Sequence, residues 1–203
     1  MRGILVFDGD SISLGVGASY GHTLADQVIP LLPEGMISYV TAAGGRQVKE
    51  CLKLFESGVC QLYDKNAASN VIFFHAGDND IAWGSNAHET YAAIKDYITL
   101  AHHQGWRVVV STELQRYDWP HPARYELDLL NSFILANNAG ADGVADFQGD
   151  PIMGSERGRL DQTCYTMDGV HPADAGYAIL AKIAAAALLP AFLSASELAQ
   201  HIS

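Results

Sequence analysis

Four short polar segments of this chain contain the residue types that nucleophilic acyl transfer requires. They are Gly9-Asp10-Ser11, Gly44-Gly45-Arg46, Gly77-Asp78-Asn79-Asp80 and Asp168-Gly169-Val170-His171-Pro172. A serine hydroxyl is a weak nucleophile until a base takes its proton, and histidine is basic enough near neutral pH. A carboxylate then holds the imidazole in the correct tautomer. Ser11, His171 and Asp168 are therefore the candidates for nucleophile, base and orienting carboxylate.

Acyl transfer also needs hydrogen-bond donors that are already placed around the negative oxygen of the tetrahedral intermediate. The backbone amides of Ser11 and Gly45 and the side-chain amide of Asn79 are the candidate donors. Glycine at position 45 would let the backbone approach a substrate closely. Gly44, directly before it, is the alternative for the same role.

Short apolar runs alternate with longer helix-like stretches, and this alternation indicates how the polar segments are positioned. The predicted strands are Ile4–Phe7, Met36–Val40, Val71–His75, Arg107–Ser111 and Gly143–Asp146. Most lack polar alternation, which is typical of strands buried on both faces. The predicted helices are Thr23–Ile29, Gln47–Tyr63, His88–Gln104, Tyr125–Asn138 and Ala173 to about Leu189. With right-handed crossovers, this order predicts an α/β fold with helices on both faces of a parallel sheet.

Such a sheet would bring the polar segments together. The first three segments directly follow the first three predicted strands, and the Asp168–Pro172 segment precedes the last helix. Ligands bind at the carboxyl ends of the strands in sheets of this kind. Each segment alone is an ordinary turn or helix-cap signal. The hypothesis of an acyl-transfer site depends on their falling together on one edge.

Taken together, the segments resemble the four sequence blocks of the SGNH hydrolases, the GDSL-type esterases and lipases. The resemblance spans residues 4 to about 180, and Gly-x-Asn-Asp with Asp-x-x-His-Pro is its most specific part. It implies a three-layer α/β/α sandwich with a five-stranded, flavodoxin-like parallel sheet, in one domain over residues 1–203. It also implies a serine esterase that needs no cofactor and no metal. Ile12 replaces the leucine of the GDSL motif.

By this resemblance, Ser11, His171 and Asp168 form the catalytic triad. Ser11, Gly45 and Asn79 form the oxyanion hole. The family often has Asn-x-Gly before the second-block glycine, whereas this chain reads Thr41-Ala42-Ala43-Gly44-Gly45. This departure leaves Gly44 and Gly45 as alternatives for the second donor.

Two other readings of the sequence remain open at this point. The segment Val6-Phe7-Asp8-Gly9-Asp10 also resembles the opening of haloacid-dehalogenase-type phosphatases. Asp8 would then attack phosphorus, Asp10 would act as the acid, and Mg²⁺ would bind near Asp78 or Asp80. That hypothesis gives Asp168 and His171 no role. A catalytically inactive binding module is the third alternative, which a complete triad disfavours.

Several loop residues near the predicted edge are candidates for the substrate pocket. They are Asp10, Asp80, Trp83, Tyr117, Trp119, His121 and Tyr165. Aromatic rings suit sugar faces and short acyl or aryl groups alike. We therefore expect short-chain acyl or O-acetyl esters, including those of carbohydrates. Thioesterase and lysophospholipase activities remain alternatives.

The composition limits the classes of partner. The chain has 203 residues, of which 49% are hydrophobic, and a net charge of -11, so no basic footprint for nucleic acid is visible. The most apolar run, Ala178–Leu193, is interrupted by Lys182 and Pro190 and is not expected to span a membrane. A small-molecule ester is thus the expected partner. We expect a cytoplasmic location, with a secreted mature form as the alternative. Free thiols are expected at the three cysteines, although a Cys51–Cys60 disulfide is the alternative.

Overall fold

A five-stranded parallel sheet forms the centre of the protein. The description is of a computed structural model and applies to residues 3–192, so residues 1, 2 and 193–203 of the predicted domain lie outside the described residues. The strands are β1 (Gly3–Gly9), β2 (Met36–Val40), β3 (Ser69–His75), β4 (Arg107–Ser111) and β5 (Gly143–Ala145). Their order is β2-β1-β3-β4-β5 and every pair is parallel. The predicted flavodoxin-like sheet is confirmed.

The order of the strands fixes where a ligand site can form. The chain moves outward from β1 to β2 on one side and from β3 to β5 on the other, so the connections diverge between β1 and β3. A crevice opens at the carboxyl ends of the strands at such a switch point. Ser11 follows β1 and Asn79 follows β3, so both residues lie beside this crevice.

Helices cover both faces of the sheet. Within residues 3–192 they are α1 (Ser11–Leu14), α2 (Leu24–Val28), α3 (Val48–Leu54), α4 (Asp78–Ala82), α5 (Ala87–His103), α6 (His121–Ala136), α7 (Glu156–Arg159) and α8 (Asp174–Phe192). Short 3₁₀ turns occupy Ile29–Leu31 and Val59–Leu62. One buried core contains residues of α3, α5 and α6, and the other contains residues of α2 and α8. The three-layer arrangement is therefore also confirmed.

The central strands are buried on both faces, as their continuous apolar sequences indicate. In β1, Ile4 and Val6 contribute to the core under α3, α5 and α6, whereas Leu5 and Phe7 contribute to the core under α8. Successive side chains alternate between the faces of a strand, so an apolar residue is needed at every position. The edge strand β2 differs, because its last three residues are exposed.

The predicted helices differ from the observed ones where local backbone geometry is decisive. The long helix predicted over Gln47–Tyr63 is broken, because Gly58 has a non-helical backbone between α3 and the following 3₁₀ turn. Helix α6 begins at His121 rather than Tyr125, since a proline is tolerated in its first turn. The short helices α1, α4 and α7 were not predicted, because four or five residues show no helical periodicity.

Helix α8 is apolar and long enough, by length and composition alone, to cross a membrane. In this structure it packs against the sheet, and Tyr177, Leu180, Ala184 and Leu188 are buried in the core. A core helix of an α/β protein meets the same length and composition criteria as a membrane span. Cys51, Cys60 and Cys164 are free thiols, so the alternative disulfide is not formed.

Candidate active site

Ser11, His171 and Asp168 form a continuous hydrogen-bonded chain. The Oγ atom of Ser11 lies 2.9 Å from Nε2 of His171, and Nδ1 of His171 lies 2.7 Å from Oδ2 of Asp168. A serine within hydrogen-bond reach of an imidazole that a carboxylate orients is the arrangement needed for an activated nucleophile. The structure thus brings the three predicted residues together although 160 positions separate Ser11 from His171.

The position of Ser11 follows from a close approach of β1 to β3. Gly9 ends β1 with a φ of 129°, and a Cβ atom there would lie 1.8 Å from the carbonyl oxygen of His75. Glycine is therefore required at this position. Asp10 then caps α1 by accepting a hydrogen bond from the amide of Ile12 at 2.9 Å. Ser11 is left as the first residue of α1, facing the cleft.

The turn before α8 fixes the positions of Asp168 and His171 relative to each other. Oδ1 of Asp168 accepts hydrogen bonds from the amide of Val170, the amide of His171 and the hydroxyl of Thr166 at 2.7, 3.0 and 2.7 Å. Partial burial alone would raise the pKa of Asp168. The hydrogen bonds from His171, Thr166 and Val170 outweigh this effect and hold the pKa well below its usual range. Asp168 is therefore a carboxylate near neutral pH and can orient the imidazole of His171.

A cleft of about 390 Å³ opens over Ser11. It is lined by Ser11, Val16, Gly44, Gly45, Asp78, Asn79, Arg116, Val170 and His171. Gly45 has a φ of 74° and its missing Cβ would meet no atom within 4 Å, whereas a Cβ on Gly44 would lie 3.9 Å from Cβ of Ser11. Both glycines border the cleft, so the choice of Gly45 over Gly44 as donor stays a prediction.

An ion pair behind the cleft supports the loop that contains the two glycines. The guanidinium of Arg46 donates to Oδ1 of Asp8 at 3.2 Å and to the carbonyl of Thr41 at 2.7 Å. The carbonyl oxygen of Arg46 in turn accepts from Nδ2 of Asn79 at 3.3 Å. Asp8 is buried and also accepts from the hydroxyl of Tyr97 at 2.6 Å. Arg46 therefore links the glycine loop to the predicted amide donor of Asn79.

A second polar group, the acid–histidine cluster, lies beneath the cleft and consists of Asp10, His75, Asp78 and Glu113, all buried. Burial raises the pKa of Asp10 to about 7 and that of Asp78 to about 6, and it lowers the pKa of His75 to about 4. Burial, with the neighbouring carboxylates, also raises the pKa of Glu113 well above its usual range. Sequence reasoning missed His75 and Glu113, although both lie at or just after a strand end.

A model of the GDSL-like lipase/acylhydrolase family matches residues 7–179, a range that includes Ser11, Asp168 and His171. This protein belongs to that family. Membership makes the protein a carboxylic ester hydrolase, and small-molecule esters are its class of substrate. No curated protein sequence matches it.

Several solved structures share the fold of this protein. A lipolytic G-D-S-L family member from Veillonella parvula DSM 2008 has a TM-score of 0.75 at 22% identity, covering 91% of this chain and 96% of its own. A GDSL-like lipase from Bacteroides thetaiotaomicron VPI-5482 has a TM-score of 0.67 at 25% identity, covering 89% and 84%. An acetylxylan esterase from Geobacillus stearothermophilus has a TM-score of 0.65 at 17% identity, covering 90% and 91%.

The predicted substrate-pocket residues of this GDSL-like hydrolase need correction. Tyr165 is buried and its hydroxyl donates to the carbonyl of Met153, so it belongs to the core under α8. Asp10 caps α1, and Asp80 is buried and accepts from the amide of Val48 at 3.0 Å. None of the three lines the cleft, because each carboxylate or hydroxyl is turned inward to satisfy a backbone group.

The other predicted pocket residues lie outside the cleft lining as well. The ring of Trp119 packs beneath Arg116, and Tyr117 donates to the carbonyl of Gly154 at 2.9 Å. Trp83 at the end of α4 is 77% exposed, and His121 is exposed at the start of α6. The residues that sequence reasoning missed in the lining are Val16, Asp78, Arg116 and Val170. No spacing signal marks Val16 or Arg116, since the paths of their loops decide their positions.

The phosphatase alternative is not favoured by this arrangement. Asp8 would have to attack phosphorus, but its carboxylate is buried and is held by Arg46, Thr41 and Tyr97. Asp10 is buried as a helix cap. Neither carboxylate reaches the cleft, whereas Ser11 does.

Replacing Arg46 with methionine should lower kcat by roughly tenfold or more, because small displacements of donor groups are costly in catalysis. KM for a small ester should change little. Steady-state kinetics on p-nitrophenyl acetate measure both constants. The double variant Asp8→Asn/Arg46→Met removes the unpaired buried carboxylate and so separates an effect on kcat from instability.

Arg107→Met is the matched control for Arg46→Met. Arg107 is the first residue of β4, at the end of the strand away from the cleft, and donates to the carbonyl of Ala191 at 2.7 Å. Its replacement should leave kcat unchanged. A kcat for Arg46→Met within about twofold of wild type would show that this side chain does not position the donors.

Proposed function

We propose that this GDSL-like hydrolase cleaves carboxylic esters through an acyl-enzyme intermediate on Ser11. The observation that carries the proposal is the 2.9 Å contact between Ser11 Oγ and His171 Nε2 at the floor of an open cleft. A nucleophile–base pair at this distance needs no rearrangement before proton transfer.

The reaction proceeds in two steps. Ser11 Oγ attacks the ester carbonyl carbon while His171 Nε2 takes the hydroxyl proton, and the tetrahedral intermediate collapses when His171 returns that proton to the leaving alcohol. Water then attacks the acyl-serine, His171 accepts its proton, and the acid is released as Ser11 is reprotonated. Asp168 stabilises the imidazolium in both steps and stays ionised.

The oxyanion is stabilised by the amides of Ser11, Gly45 and Asn79. Three features support this assignment: Ser11 lies at the start of α1, Gly45 borders the cleft, and Asn79 borders it too. One hydrogen of Nδ2 is directed to the carbonyl of Arg46, which leaves the other for the substrate. Each such donor contributes a factor of roughly 10²–10³ to kcat.

Ser11→Ala should lower kcat for p-nitrophenyl acetate by roughly 10³-fold or more, because the nucleophile is removed while the fold remains. Ser13→Ala is the matched control from the same helix, since its hydroxyl is buried and makes no hydrogen bond in the described part of the chain. The control should retain wild-type kcat. Near-wild-type turnover by Ser11→Ala would end the proposal.

The cleft favours short acyl groups and a polar leaving group. Its apolar lining consists of Val16 and Val170, and Asp78 and Arg116 supply charge. None of the lining residues within the described part of the chain extends it into a long apolar channel. Trp83 follows Asn79 by four positions and accordingly shares its helical face, so an exposed indole lies near the rim. An exposed ring of this kind suits a sugar face. An O-acetylated carbohydrate is therefore our proposed substrate class.

A panel of p-nitrophenyl esters and acetylated sugars tests the substrate class. We expect kcat/KM to stay level or fall from acetate to octanoate, because the cleft cannot bury a long chain. Burial of each added methylene group would contribute ~0.8 kcal/mol, or about fourfold in kcat/KM. Trp83→Ala should lower kcat/KM for acetylated sugars but not for p-nitrophenyl acetate.

Tyr125→Ala, which removes an exposed aromatic ring from α6, is the control for Trp83→Ala. A steady rise in kcat/KM with acyl-chain length would contradict the short-acyl assignment. Equal effects of the Trp83 and Tyr125 variants on acetylated sugars would contradict the carbohydrate assignment.

A further inference from the structure

We propose that the acid–histidine cluster beneath the cleft is a structural site for a divalent transition-metal ion, with His75, Glu113 and Asp10 as ligands and Zn²⁺ as the ion. The proposal goes beyond ester hydrolysis, because the ion would stabilise the strand ends that support the site and would not contact the substrate.

The ring of His75 is oriented as that of a metal-binding histidine would be. His75 is fully buried, and its Nδ1 is held by the hydroxyl of Ser111 at 2.6 Å. This contact fixes the ring so that Nε2 lies 3.3 Å from Oε2 of Glu113 and 3.9 Å from Oδ1 of Asp10. Metal-bound histidines are commonly oriented in this way by a hydrogen bond to the other ring nitrogen.

The facing atoms are close together and lack hydrogen bonds. Nε2 of His75, both carboxylate oxygens of Glu113 and Oδ2 of Asp10 are buried and have no hydrogen-bond partner of regular geometry among the described residues. The carboxyl of Asp10 does lie against that of Asp78, and the backbone of Asp78 approaches Glu113. The 3.3 Å approach of Nε2 to Glu113 lies within ion-pair range but does not have hydrogen-bond geometry. Buried polar atoms are rarely left unsatisfied in this way. A shared cation satisfies all four at once.

The charge of the cluster also requires compensation. Asp10, Asp78 and Glu113 are three buried carboxyl groups in one cluster, and buried charges in proteins are normally paired or bound to a metal ion. In the described part of the chain, the nearest cation is Arg116, whose Nη1 lies 3.6 Å from Asp78. The same guanidinium donates to Asp118 at 3.0 Å, so its charge is shared. A divalent ion supplies the missing positive charge.

The donor set and its spacing select the ion. One imidazole and carboxylates within 4.8 Å of one another match zinc, which takes nitrogen and oxygen ligands at about 2.0–2.2 Å. In a tetrahedral site such bonds place neighbouring ligands about 3.3–3.4 Å apart, close to the observed separation of His75 and Glu113. Mg²⁺ and Ca²⁺ need six or more oxygen ligands and would require several waters in this buried space.

The position of the cluster explains what the ion would do. Asp10 follows β1, His75 ends β3 and Glu113 lies just after β4, so one ion would join three strand ends. Asp78 lies against Asp10 and also lines the cleft, so it lies between the three ligands and the opening through which an ion would enter. The ends of these strands carry Ser11 and Asn79.

The metal content of the untagged full chain tests the proposal directly. Protein produced in medium supplemented with Zn²⁺ should carry close to one zinc ion per chain by inductively coupled plasma mass spectrometry. Removal with a chelator should lower Tm by more than about 5 °C, and Zn²⁺ but not Mg²⁺ should restore it. Ser11→Ala should retain the zinc, so a failure of the proposed esterase mechanism and a failure of this site are distinguishable.

Two variants identify the ligands. Glu113→Gln preserves the shape of the side chain but should reduce zinc to below about 0.1 ion per chain and remove the response of Tm to the chelator. Asp80→Asn is the control, since Asp80 is a buried carboxylate next to the cluster that instead accepts from the amide of Val48. It should retain the zinc.

Three results would overturn the assignment. In the first, wild-type protein produced with Zn²⁺ or with Mn²⁺ carries less than about 0.1 ion per chain. In the second, the chelator leaves Tm unchanged. In the third, Glu113→Gln retains as much zinc as wild type. The first two results together would mean that the carboxyl groups of the cluster are held by shared protons.

Discussion

The close approach of β1 to β3 at their carboxyl ends is the constraint on which the site depends. Gly9 lies against the carbonyl oxygen of His75 with no room for a side chain, and the amide of Asp10 donates to that oxygen at 3.1 Å. This contact ends β1 and directs Asp10 into its capping position. Ser11 follows as the first residue of α1 at the point where the connections between strands diverge. A substitution at Gly9 would displace both the nucleophile and the buried cluster below it.

The active site and the acid–histidine cluster lie on two sides of the same strand ends. Above, Ser11, Asn79 and His171 border the cleft. Below, Asp10 is buried and its pKa is raised. Asp78, whose pKa burial also raises, belongs to the cluster and lines the cleft as well. Buried carboxyl groups of this kind cost stability unless protons or a cation neutralise them. Their presence directly beneath the cleft is a reason to expect that they serve the geometry of the site.

The sequence could predict the fold, and the close approach of Ser11, His171 and Asp168, because strand patterns and short motifs are visible in it and the sheet topology brings the motifs together. Continuous apolar runs identify β1 and β3, and the Asp168-x-x-His171 spacing is short enough to be closed by a single turn. The strand ends then place Ser11 and Asn79 by topology alone.

The pocket wall could not be predicted in the same way, because loop paths are set by long-range packing. Tyr165 and Trp119 occur in the expected loops, yet one ring enters the core under α8 and the other packs beneath Arg116. The cluster was missed for a similar reason. His75 and Glu113 are 38 residues apart, and only the pairing of β3 with β4 brings them within 3.3 Å.

Trapping the acyl-enzyme tests the central claim most directly. The protein would be mixed with p-nitrophenyl acetate, quenched in acid during turnover, and analysed by intact-mass and peptide mass spectrometry. The account predicts one acetyl group per chain, located on Ser11, and its loss when His171 is replaced by alanine. An acetyl group on Ser13 or another residue, or turnover that leaves Ser11 unmodified under every quench condition, would contradict it.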